Sequence, residues 1–135
     1  MPERAAGTVL AFDFGLKRIG VAVGEPELGT AHPLPAIAAA GDARFAAIEK
    51  LVHEWRPAQL LVGRPLSSDG DPRLVTRQAE RFARRLEGRF RLPVARVDER
   101  FTSVEAESRL QGHKRKPVDS VAAQLILEQY FDELA

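Results

Sequence analysis

Val9-Leu10-Ala11-Phe12-Asp13 runs through Phe14-Gly15-Leu16-Lys17-Arg18 into Ile19-Gly20-Val21-Ala22-Val23. Two short, apolar, β-branched runs separated by a five-residue connection containing a glycine predict strands over 8–13 and 19–25, paired antiparallel as a hairpin. Asp13 then closes a buried strand. An ionised carboxylate there costs several kcal/mol in desolvation unless a cation or hydrogen bonds compensate it. A metal ion is one compensator, and a local Asx turn in Asp-Phe-Gly is the other.

Working outward, a third strand is expected over 34–38, after a turn at His32-Pro33. From Asp42 the period changes. Phe45, Ile48, Val52 and Trp55 recur at helical spacing, Asp42 is the expected cap, and Arg56-Pro57 stops the run. Gln59 to Gly63 reads as a buried strand and residues 65–72 as a loop ending in a helix cap, followed by a long helix to about Phe90. Leu92 to Val97 is the last expected strand, with Asp98-Glu99-Arg100 at its carboxyl end. Thr102 opens a short helix to about Leu110 with a capping-box pattern. The basic stretch His113-Lys114-Arg115-Lys116 precedes a final helix opened by Pro117. The order β-β-β-α-β-α-β-α-α predicts an α/β fold with a mixed sheet and helices on both faces, where function gathers at strand ends.

The bulk numbers bound the answer without giving it. At 135 residues the chain suits one domain, 1–135, and its 20 Lys plus Arg against 19 Asp plus Glu leave a net charge of +1, so only the distribution of charge can indicate a polyanionic partner. No apolar stretch approaches the ~20 residues of a membrane span, and the first residues lack a signal-peptide pattern. A cytoplasmic protein with no membrane partner is expected, as monomer or homodimer. With no cysteine, any metal must be held by oxygen or imidazole, and the three histidines show no ligand spacing.

Asp13, Asp98 or Glu99, and Asp119 are far apart in sequence yet all fall at the ends of predicted elements. If the first and last strands are parallel with one strand between them, their carboxyl ends share an edge that the final helix can reach. Carboxylates clustered there repel one another unless divalent cations lie between them, and oxygen ligation suits Mg²⁺ or Mn²⁺. Two such ions ~3.5–4 Å apart would activate water and stabilise the leaving oxygen in phosphodiester hydrolysis. Each acid also has a simpler account. Asp119 complements a helix dipole, and Asp98 or Glu99 pairs with Arg96 or Arg100 at the surface.

Asp13-Phe14-Gly15-Leu16-Lys17-Arg18-Ile19-Gly20, Val62-Gly63-Arg64-Pro65, Asp69-Gly70, Val97-Asp98-Glu99-Arg100-Phe101-Thr102-Ser103 and Val118-Asp119-Ser120-Val121-Ala122-Ala123-Gln124 together resemble the motifs of the YqgF/RuvX family. These are bacterial proteins of ribonuclease H-like fold described as candidate Holliday junction resolvases or pre-16S rRNA nucleases. The resemblance spans nearly the whole chain, in order. It implies a five-stranded mixed sheet and a metal-dependent endonuclease with Asp13, the Asp98-Glu99 pair and Asp119 as its acidic site. Arg64 departs from the apolar residue usual at its position, and Gly24-Glu25 from a common Ser-Asp. The related resolvase RuvC carries an acid on strand four, where this chain offers none, so the second ligand falls to strand five. Glu99 is preferred for reach, and Asp98 is kept because strand parity is open.

Lys17, Arg18, Arg64, Arg100, His113, Lys114, Arg115 and Lys116 flank these acids and are the expected phosphate contacts for branched DNA or precursor rRNA. Arg73, Arg77, Arg81 and Arg85 recur every four residues on the long helix; they read either as a solvated face, with Glu80 supporting Arg84, or as a nucleic-acid surface. A non-catalytic nucleic-acid-binding factor is the alternative function. An actin-like kinase needs two domains around its nucleotide, which this length does not supply.

Overall fold

The computed structural model describes residues 7–15, 18–38, 41–64, 72–98 and 118–134. One five-stranded sheet, ordered β3-β2-β1-β4-β5, is built from β1 (Val9–Asp13), β2 (Ile19–Glu25), β3 (Thr30–Ile37), β4 (Gln59–Arg64) and β5 (Val94–Asp98). The helices are α1 (Asp42–Trp55), α2 (Pro72–Phe90) and α3 (Val118–Leu134). β1, β2 and β3 form the expected antiparallel meander, and β1, β4 and β5 are parallel. The turn from β1 needs Gly15, because a Cβ there would sit 2.5 Å from the carbonyl oxygen of Arg18.

Strand alternation divides the core in two. Leu10, Phe12, Leu60, Val62 and Val94 face α1 and α2, where Phe45, Ile48, Phe82 and Leu86 meet them. Val9, Ala11, Ala22, Leu61 and Val97 face α3 and its Ala123, Ile126, Leu127 and Phe131. The central strands are apolar on both faces because helices cover both, and each fully buried Leu, Val or Phe contributes roughly 1.5–3 kcal/mol. Trp55 packs against the first core, half-buried. No helix among the described residues is long and apolar enough to cross a membrane.

Three boundaries differ from expectation. β3 begins at Thr30, so His32-Pro33 lies within the strand, opposite Val23 and Ala22. It is an outer strand of the sheet, where a proline without an N–H is tolerated. Gly41 rather than Asp42 occupies the N-cap of α1, without a side-chain cap. Asp42 is the first helical residue, where its charge opposes the helix dipole's positive end. β5 starts two residues later than expected, at Val94. Arg91 closes α2 with φ 56° and an N–H bond to the Glu87 carbonyl, and Pro93 cannot donate to the ladder. The helix expected from Thr102 lies outside the described residues.

Arg96 joins β5 to α2. Its guanidinium donates to Glu80 Oε2 at 3.0 Å and to Glu87 Oε2 at 2.7 Å, so Glu80 reaches across to this strand, and Arg96 is engaged away from the sheet edge. The hydrogen bond from Arg96 holds the Glu87 carboxyl below its usual range, and the same bond holds the guanidinium above its own.

Candidate functional site

The three parallel strands end at one edge of the sheet. Asp13 aligns with Gly63, and Gly63 with Val97; Arg64 aligns with Asp98 one step further on. Aligned residues of neighbouring strands share a face, so Asp13, Gly63 and Val97 all lie on the α3 side. Asp98 lies on the other side, with Val94 and Arg96. Asp13 is half-buried at the end of β1.

α3 lies across β2, β3 and β1 and reaches β4 with its Ile126 and Tyr130 side chains. Gln59, at the start of β4, donates to the Tyr130 hydroxyl at 2.7 Å, whereas Ile126 lies over Gly63 near the end of that strand. Asp119, two turns before Ile126, is thereby carried to the carboxyl edge where Asp13 sits. Sequence reasoning assigned Gly63 no role beyond the strand, although a glycine inside a strand pattern signals close backbone approach. A Cβ at Gly63 would stand 2.4 Å from Ile126 Cδ1, and Ile126 is fully buried. The missing side chain therefore sets how closely the helix bearing Asp119 can approach the strand end.

Gly63→Val should lower unfolding free energy by about 1–3 kcal/mol through overpacking. Gly88→Ala, within α2 and with nothing near the added methyl, should raise it by about 0.5–1 kcal/mol. Urea denaturation of both variants gives the comparison; an unchanged Gly63→Val midpoint would show that α3 moves aside freely.

Arg18 is exposed at the start of β2, and Arg64 ends β4 between the two acid-bearing strands. Lys17, Glu99, Arg100, His113, Lys114, Arg115 and Lys116 lie outside the described residues. His32 is exposed on β3, and His53 pairs with Glu49 at 3.7 Å on α1. Among the described residues, no group of three or more His, Asp or Glu side chains could hold a metal ion. The donors assigned to this edge are carboxylate oxygens, and the chain has no thiolate. That chemistry fits Mg²⁺ or Mn²⁺ better than a soft metal.

Comparison with known proteins gives a consistent answer. The RuvX model, described as Holliday junction resolvase, matches residues 7–133. A candidate pre-16S rRNA nuclease of Methylobacillus flagellatus is 57% identical over 145 aligned residues, which cover 100% of this chain and 99% of the relative. A Nitrosomonas europaea protein of the same name is 51% identical, with 98% and 94% covered. Among solved structures, Thermus thermophilus RuvC in complex with a Holliday junction superposes with a TM-score of 0.67 at 15% identity, covering 94% of both chains. At that identity the likeness concerns the fold, which is ribonuclease H-like. With the family model matching almost end to end and full-length relatives above half identity, this chain belongs to the RuvX family of nucleases.

Proposed function

We propose that this chain, as a single domain over 1–135, is a divalent-metal-dependent endonuclease that hydrolyses phosphodiester bonds in structured nucleic acid. The substrates are branched DNA, precursor 16S rRNA, or both, and the work is done in the cytoplasm. The observation that carries this reading is the shared edge and face of Asp13 and the first turn of α3, in a fold whose parallel strands end there.

Asp13, Glu99 and Asp119 are the proposed metal ligands, with Mg²⁺ or Mn²⁺ supplying charge stabilisation for the attacking and leaving oxygens when bound. Asp98 sits on the α1–α2 face, and a strand period continued by one residue would bring the next side chain to the face of Val97 and Asp13. This supports Glu99 as the strand-five ligand and gives Asp98 a secondary part. Arg18 and Arg64, with Lys17, Arg100, His113, Lys114, Arg115 and Lys116, hold phosphates on either side of the scissile one. These cations orient the substrate backbone, and the carboxylates define where its reacting phosphate rests.

The test is incubation of purified protein with a four-way DNA junction and with precursor 16S rRNA, side by side, in Mg²⁺, in Mn²⁺ and in chelator. Cleavage in either metal and none in chelator is expected. Tight binding of both substrates without cleavage in any condition would leave the non-catalytic factor as the correct reading.

A further inference from the structure

On the sheet face opposite Asp13, α1 and α2 enclose a concavity of about 320 Å³ with Phe14, Phe45 and Phe82 in its lining. Arg44, Arg81 and Arg85 also line it, together with Gln78, and no carboxylate is among its described lining residues. Arg81 and Arg85 repel one another across this small space, and an anion between them, within reach of Arg44, relieves that repulsion. We propose that this concavity is a phosphate-binding pocket occupied by a backbone phosphate of the bound nucleic acid, away from the scissile one. That source of phosphate rests on the nuclease reading above; the pocket's preference for phosphate does not.

The charge imbalance comes from how α2 distributes its side chains. The helix carries six arginines and two glutamates, and both glutamates bond to Arg96 on the β5 side. Arg81 and Arg85, on the side toward α1, are exposed and make no ion pair with a carboxylate among the described residues. Arg44, unrelated to them by any sequence spacing, completes the set from α1.

The aromatic rings favour a phosphate over a stacked base. Arg44 lies over Phe14 at 5.7 Å, and Arg85 lies over Phe45 at 4.7 Å. The guanidinium groups thus already occupy ring faces that a base would need, and they are held there by cation–π attraction. A guanidinium so placed still offers its N–H edge, which is the geometry that grips phosphate oxygens in pairs. Gln78 adds a second observation. Its Oε1 is buried with no hydrogen-bond partner among the described residues, and turning the amide over presents an NH₂ donor in the same shape.

Position links the pocket to the site. Phe14 follows Asp13 directly, so the pocket adjoins the carboxyl edge of β1, and a strand lying across that edge passes its mouth. The space is at the small end of ligand pockets, ~300–1,000 Å³, enough for one phosphate with its sugar.

The experiment compares Arg81→Ala/Arg85→Ala with Lys50→Ala/Arg84→Ala, a double variant that removes the same charge from exposed positions on the same two helices outside the pocket. Binding of labelled junction DNA and precursor rRNA is followed by anisotropy in Ca²⁺ across a salt series, independently of cleavage. The pocket variant should bind about tenfold more weakly. Its slope of log affinity against log salt should be shallower by roughly one, with a much smaller change in the control. In parallel, unfolding midpoints are recorded at fixed ionic strength in chloride and in inorganic phosphate. If nucleic-acid affinity is unchanged but phosphate stabilises only proteins with the pocket intact, the phosphate site stands and its ligand is a free phosphate compound. Equal effects of the two double variants on binding, with no phosphate-dependent midpoint in either, would overturn the pocket altogether; cleavage that fails in every variant while this difference persists would count against the nuclease reading alone.

Discussion

Asp13→Asn should remove cleavage of both substrates, by at least ~100-fold, while the protein remains folded. Asn keeps the side-chain volume at the end of β1 but gives up the charge that a hard divalent cation requires. A bound ion contributes several kcal/mol of transition-state stabilisation, and each 1.36 kcal/mol is tenfold in rate. Because Asp13 sits at the strand end, half-buried and outside both apolar cores, the unfolding midpoint should hold or rise slightly as carboxylate repulsion is relieved. Single-turnover cleavage and a thermal melt on the same preparation give both answers. Near-original rates in the variant would end the catalytic assignment of Asp13, whatever the melt shows.

The second large effect separates the adjacent acids of strand five. Glu99→Gln should reduce cleavage by a factor comparable to Asp13→Asn, and Asp98→Asn should retain measurable activity. The reason is pleating. Asp98 falls on the α1–α2 side of β5, and Val97 shares the α3 side with Asp13 and Gly63. Metal titrations of the two variants should differ in the same sense, with Glu99→Gln needing more Mg²⁺ to reach half its maximal rate. The reverse ranking would mean that the chain turns over beyond Asp98 and that the strand period does not continue.

These two experiments draw on information that the sequence holds unequally. The hairpin around Gly15, the helical periods of α1 and α2 and the apolar final helix all follow from local pattern, so the order of elements and the mixed sheet were legible. The place of Asp13 at the end of β1 was legible too, because it closes an apolar run. Asp98 and Glu99 were not separable, since face assignment depends on pairing with β4 rather than on anything local. The same tertiary dependence explains β3: Pro33 reads as a turn residue until the strand is known to be an outer one. Gly63 and Arg44 matter through partners, Ile126 in one case and α2 in the other, that no sequence spacing announces. The basic stretch from His113 to Lys116 lies outside the described residues.

The covering of the β1–β2–β3 face by α3 has a consequence for the order of events during synthesis. Val9, Ala11, Ala22 and Ala31 belong to the first elements made, yet the helix that buries them is made last. Gln124 bonds to the Ala31 carbonyl across 93 residues of sequence. Contacts of such separation form late, after most of the chain has been produced. Until then the meander presents an uncovered apolar sheet face. A ribosome-bound chain of this nuclease is therefore vulnerable to aggregation through that face until α3 docks; on the proposed assignment of Asp119 as a metal ligand, the same docking step would also complete the acidic site.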